Sequence, residues 1–230
     1  MSSALKRWGL LVAATAVQVI SGSVYAMGAW QSKLRDGLGL STAAVSSIGA
    51  ATFVGSVLAM LGGRAFDTLG PRTSCALGGV INTFGYIIIG STLYFAESLS
   101  ESARVSIPAF GCALAGYSSV SLLDNVVCMA CSLSFPSDRA AIVGYLKAVL
   151  AAAAGLWALL WVHVFASSLG LIAYLGFVAS VAFCGTMLSL LGLQVLPEGP
   201  DRRKFDGADG TRLFLAICYV IAQASLAASE

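Results

Sequence analysis

AIVGYLKAVLAAAAGLWALLWVHVFASSLGLIAYLGFVASVAFCGTMLSLLGLQVL, residues 141–196, carries a single lysine, Lys147, and no carboxylate. A hydrocarbon core about 30 Å thick takes about 20 helical residues to cross. The stretch holds two such lengths, 141–166 and 169–196, joined at Ser167-Ser168. In lipid, a span can satisfy its own N–H and C=O groups only as a helix or inside a closed barrel. Neither run alternates with the two-residue period of a barrel strand, so both are expected to be transmembrane helices.

The same pattern extends outward in both directions. Apolar runs at 9–30, 43–63, 74–96 and 107–133 have membrane length, and a weaker one covers 211–229. The chain is 58% hydrophobic and 10% charged, whereas a soluble domain carries roughly 25% charge. The class expected is an all-α membrane protein. Residues 1–196 form a six-helix transmembrane bundle, 197–210 (PEGPDRRKFDGADG) a cytoplasmic linker, and 211–230 the start of a partial seventh helix. Lys6 and Arg7 before an apolar run resemble a signal peptide, but the run continues to Trp30, past the usual 7–15 residues of a signal core, and reads as an uncleaved first helix. All six cysteines (Cys75, Cys112, Cys128, Cys131, Cys184 and Cys218) fall in apolar runs and read as helix-packing thiols, not a disulfide framework. Cys128 and Cys131 lack the second Cys/His pair that a metal site needs.

Lysine and arginine set the orientation. With the amino terminus in the cytoplasm, that side collects Lys6, Arg7, Arg64, Arg72, Arg139, Arg202, Arg203, Lys204 and Arg212. The other side has Lys33, Arg35 and Arg104. Ser41 is placed to cap the second helix, Gly70-Pro71 to break the chain after it, and Phe135-Pro136-Ser137-Asp138 to close the fourth helix and cap the fifth. Ala51, Gly55, Ala59 and Gly63 recur every four residues along the second helix, a spacing that brings two helix backbones close together.

Charged and amide side chains inside membrane helices are costly and rare unless paired or facing water. Asp124 and Asn125 lie in the fourth helix about twelve residues before Pro136, and Lys147 lies in the fifth, eight residues after Arg139. At about 1.5 Å of rise per residue their depths differ by roughly 6 Å, within reach of a lysine stem. Asp124 and Lys147 are therefore expected either to face a polar cavity and contact solute, or to form a structural ion pair between the two helices. Gln18 and Asn82 can add hydrogen bonds to the cavity or hold helices together. His163, near Trp157 and Trp161, reads as an interfacial residue.

Gly62-Gly63-Arg64-Ala65-Phe66-Asp67-Thr68-Leu69-Gly70-Pro71-Arg72 has the pattern G-x-x-x-D-x-x-G-x-R between two membrane helices. It resembles the signature loop of the major facilitator superfamily, with Thr68 where that pattern often has a basic residue and Pro71 before Arg72. Further stretches resemble the nodulin-like branch of that superfamily. They are Arg7-Trp8, Leu11 to Thr15, Ser21-Gly22, Tyr25 to Gly28, Leu38 to Ser41, Gly70-Pro71-Arg72, Phe135-Pro136 with Arg139, and Gly144 to Lys147. The branch favours asparagine at the place of Asp124 and arginine at that of Leu133. The resemblance implies half of a major facilitator fold, a gating loop built on Gly63, Asp67, Gly70 and Arg72, and transport of a small organic or inorganic anion by alternating access.

The function expected is a multi-pass transporter, or its amino-terminal half, in the plasma membrane or an internal membrane. A second six-helix half or a homodimer would complete it, and the alternative is a non-transporting membrane scaffold that keeps the bundle. No nucleic-acid partner, cofactor or metal is expected. The sequence has no H-E-x-x-H, G-x-S-x-G or phosphate-loop pattern.

Overall fold

The computed structural model describes residues 3–194. Within them the chain is helical nearly throughout, with helices α1 (Ser3–Ser21), α2 (Met27–Leu38), α3 (Thr42–Val57), α4 (Met60–Tyr94), α5 (Glu101–Tyr117), α6 (Asn125–Ser134), α7 (Arg139–Leu160) and α8 (Gly170–Ser189). Several run into one another. A 3₁₀ stretch at Gly22–Ala26 joins α1 to α2, a π stretch at Ser118–Asp124 joins α5 to α6, and a second π stretch at Trp161–Leu169 leads to α8. Four continuous runs are long and apolar enough to cross a membrane by length and composition: Lys6–Leu38, Met60–Tyr94, Glu101–Ser134 and Pro136–Ser189. Thr42–Val57 is a shorter apolar helix.

The expected six separate spans thus become five continuous runs: two of the joints break direction without ending the helix, and the turn at Leu58-Ala59 divides the expected second span. Gly70 (φ 76, ψ 170) divides α4 into 60–69 and 71–94. Gly170 (φ 79, ψ 175) turns the chain into α8, two residues after the Ser167-Ser168 pair expected to do so. Both glycines sit in a region of backbone space that side chains exclude. The proposed seventh span, 211–229, and the linker 197–210 lie outside the described residues.

The helix starts follow local chemistry. Ser41 caps α3 by accepting from the Ala44 N–H at 3.2 Å, and Ser100 caps α5 by accepting from Ala103 at 3.3 Å. Asp138 stands at the N-cap position of α7 without a side-chain capping bond, contrary to the expectation for that loop.

Packing repeats between the two halves of the described chain. α1 packs on α7 and α8, while α3 packs on α5 and α4 on α5 and α8. Exchanging α1 with α5, α3 with α7 and α4 with α8 maps this pattern onto itself, as expected of two related three-helix units. Gly70 and Gly170, at equivalent places in the two units, have nearly the same φ and ψ. The small-residue seam is real but differs from the expected register. A Cβ on Gly55 would strike the Ala113 carbonyl, one on Gly62 the Ser121 carbonyl, and one on Gly116 the Thr52 carbonyl. Gly63 has nothing within 4 Å. The tightened turn at Leu58-Ala59 rotates the helix, so the close approach passes to Gly62, and Ala59 and Gly63 face a cavity instead.

Two apolar cores result. One holds Leu10, Val17, Val126, Ile142 and Leu146, and the other Trp30, Tyr86, Ile89, Trp157 and Tyr174. Between them lies a belt of buried polar side chains: Gln18, Ser21, Ser23, Asn82, Ser118, Ser119, Ser121 and Asp124. The 3₁₀ stretch at Gly22–Ala26 and the π stretch at Ser118–Asp124 supply much of this belt, and irregular hydrogen bonding there leaves carbonyls free to accept from side chains, as Ser119 does from Ser21 and Leu122 from Cys75. Of the described cysteines, Cys75, Cys112 and Cys131 are buried and all are free thiols. Cys184 is exposed, so it does not pack inside the bundle as expected, and Cys218 lies outside the described residues.

Candidate functional site

The polar belt converges on Asp124, the last residue of the π stretch, whose side chain is 5% exposed. Lys147, on α7, donates to both of its carboxylate oxygens, at 2.7 Å to Oδ1 and 2.5 Å to Oδ2. Gln18 Nε2, on α1, donates to Oδ1 at 2.8 Å and approaches Cys128 Sγ at 3.4 Å. The Cys128 thiol lies 3.5 Å from the same Oδ1. Three helices therefore supply donors to one carboxylate, which a buried charge requires. Lys147 is different: 46% of its side chain is exposed. Its ammonium has three protons, and two are directed at Asp124.

The exposed side of Lys147 opens on a cavity of about 720 Å³. Asn125, Cys128, Ser132, Arg139 and Lys147 supply its polar lining, and Met60, Met129, Leu133 and Val143 much of its apolar wall. Arg139 and Lys147 are eight residues apart on α7, a rise of about 12 Å, so one cation stands near the helix end and the other deep in the bundle.

The remaining sequence-derived candidates divide by place. Asn125 and Gly63 line the cavity. Gln18 is fully buried behind Asp124, with its Oε1 unpartnered. Asn82, also fully buried, donates to Ser119 Oγ at 2.8 Å, away from the Asp124 cluster. Ser21 donates to the Ser119 carbonyl at 2.8 Å, and Ser23 and Tyr86 share a 2.9 Å hydroxyl pair. Within α4, Gly70 makes the break. Arg72 donates to the carbonyls of Leu193 at 3.0 Å and Leu191 at 3.4 Å, tying the segment after the break to the chain just past α8. Asp67 is exposed and forms no ion pair among the described residues, which has Arg72 holding carbonyls in place of that carboxylate.

Arg139, Cys128, Ser132 and Met129 were not singled out as site residues from sequence. Arg139 follows a proline turn, which reads as a topological charge, and only the packing of α6 against α7 turns it toward the cavity. Its place four residues and eight residues before Val143 and Lys147 on one helix was the available signal.

The Nodulin-like family profile matches residues 7–229. No match was found among curated proteins. Among solved structures, that of the major facilitator superfamily proton:xylose symporter XylE bound to 6-bromo-6-deoxy-D-glucose is similar, with a TM-score of 0.63 and 16% identity over 99% of this chain and 54% of that one. The chain spans about half the length of that transporter (54%), and at this identity the likeness is one of fold.

Proposed function

The chain belongs to the Nodulin-like family, and on that premise we propose that it acts as a multi-pass membrane transporter, or as the amino-terminal half of one, moving a small solute by alternating access. The breaks at Gly70 and Gly170 let the longest helical runs fold back on themselves, and in this reading the linker at 197–210 and the apolar run at 211–229 are the beginning of a second half. A second six-helix unit, on the same chain or in a homodimer, completes the pathway. The amino terminus is cytoplasmic, as the lysine and arginine bias requires. The solute is an anion, recognised at the level of Asp124 and Lys147, with Asn125 beside them and Gln18 and Asn82 in the belt behind. Gly63, Asp67, Gly70 and Arg72 form the gating loop.

One observation carries this reading. Lys147 is held by a buried carboxylate yet half open to a 720 Å³ cavity. A charge serving only to lock helices gains nothing from that opening, while a solute site requires it. The test is flux in liposomes reconstituted with the purified protein. Uptake of labelled organic anions that disappears in Lys147→Ala, with the variant still monodisperse and helical, supports transport. Absence of flux from well-folded wild-type protein favours the scaffold and overturns it.

A further inference from the structure

We infer that Arg139 and Lys147 mark the two ends of an anion path in the cavity, and that its occupant is an organic monoanion with an apolar body. The inference rests on the transport reading for its purpose but not for its evidence, which is the charge and shape of the cavity.

The charge count comes first. Among the described residues the lining contains Arg139 and Lys147 and no carboxylate. Asp124, buried behind the lining, neutralises Lys147. Arg139 has no ion-pair partner among the described residues. Asp67 stands one turn beyond Gly63 and is exposed, outside the lining, where water and salt screen it. The cleft therefore carries one uncompensated positive charge between low-dielectric walls, which concentrates anions and excludes cations. A single negative charge balances it, and a second would leave an excess charge in a poorly hydrated site.

The chemistry of the walls then selects the kind of anion. Lys147 bonds both carboxylate oxygens of Asp124 while 46% of its side chain stays exposed, so its ammonium can donate to an occupant as well, and Asn125 and Ser132 add neutral polar groups. Met60, Met129, Leu133 and Val143 offer no partner to a hydrated inorganic ion but cover an apolar body well, and thioether side chains adapt to its outline. A volume of about 720 Å³ lies within the range of small-molecule sites. An entering carboxylate meets Arg139 first and then the Lys147 ammonium, while its apolar part rests on the methionines.

The test reads the cavity and not transport. In purified protein with Cys128, Cys184 and Cys218 each replaced by serine, a Ser132→Cys variant places one thiol on the lining. It is labelled in detergent with a sulfonate-bearing and an ammonium-bearing methanethiosulfonate, and each rate is divided by that of a free thiol. The sulfonate reagent is expected to react about tenfold faster or more. Adding Arg139→Gln should bring the ratio close to one, and Arg139→Lys should keep it high. Benzoate should protect the thiol, and sulfate or benzyltrimethylammonium should not. An ammonium reagent reacting as fast as the sulfonate, a preference indifferent to Arg139→Gln, or equal protection by sulfate each overturns the inference. A protein that passes this test but shows no flux keeps the anion site and loses the transport reading.

Discussion

Replacing Lys147 by alanine should cost far more stability than replacing Asp124 by asparagine, although both remove the same ion pair. The structure makes the pair unequal. Asp124 is 5% exposed, and among the described residues Lys147 supplies the sole hydrogen bond to its Oδ2 and one of those to Oδ1. In Lys147→Ala the carboxylate stays buried with only the Gln18 amide and the Cys128 thiol on Oδ1. Stranding one member of a buried pair costs about 3 kcal/mol or more. In Asp124→Asn the lysine remains, and its half-exposed ammonium is hydrated from the cavity. The loss is then the net worth of the hydrogen bonds, about 1 kcal/mol. For a chain of this size each kcal/mol moves Tm by roughly 2–4 °C, so the drops should be on the order of 10 °C and 3 °C. The double variant Asp124→Asn with Lys147→Ala should melt above Lys147→Ala alone, since no charge is left stranded, with a coupling of about 2 kcal/mol. Thermal unfolding of the four purified proteins in one detergent measures this. Equal losses for the two single changes, or additive losses in the double, refute the asymmetry and with it the assignment of Lys147 to the open side.

Gly62→Ala should destabilise the protein by about 1–3 kcal/mol, because its Cβ meets the Ser121 carbonyl, while Gly63→Ala, with open space around it, should be within about 0.5 kcal/mol of wild type. Thermal unfolding of the pair decides which glycine forms the seam. Gly70→Ala and Gly170→Ala should each cost about 1–3 kcal/mol through backbone strain alone, since nothing lies within 4 Å of either added Cβ. A loss confined to one of them would break the equivalence of the two units. Trp157→Phe removes the 2.7 Å bond from its Nε1 to the Val19 carbonyl and should cost about 1–2 kcal/mol, with Tm as the readout.

Membrane residence, helical structure and the level at which polar groups gather were legible in the sequence, because each depends on local properties. Run length decides what crosses a membrane, and backbone groups in lipid permit only hydrogen-bonded forms. Ser41 as a cap and Gly70-Pro71 as a break are likewise one-turn events. Helical rise alone brings Asp124 and Lys147 within reach of each other. What rise cannot supply is rotation. Which side of a helix meets which neighbour depends on how ridges seat in grooves across the whole bundle, and small departures accumulate along a rod. The turn at Leu58-Ala59 is enough to give Gly62 to the seam and Gly63 to the cavity. The π stretch at Ser118–Asp124 likewise aims Asp124 at Gln18 and Lys147, while Asn82 is left to Ser119. Composition and spacing thus determined a membrane-spanning helical chain with a polar middle. Tertiary packing alone decided which of those polar groups are sealed behind the site and which, Lys147 and Arg139 above all, open onto it, since exposure is a property of the assembled surface and not of any one helix.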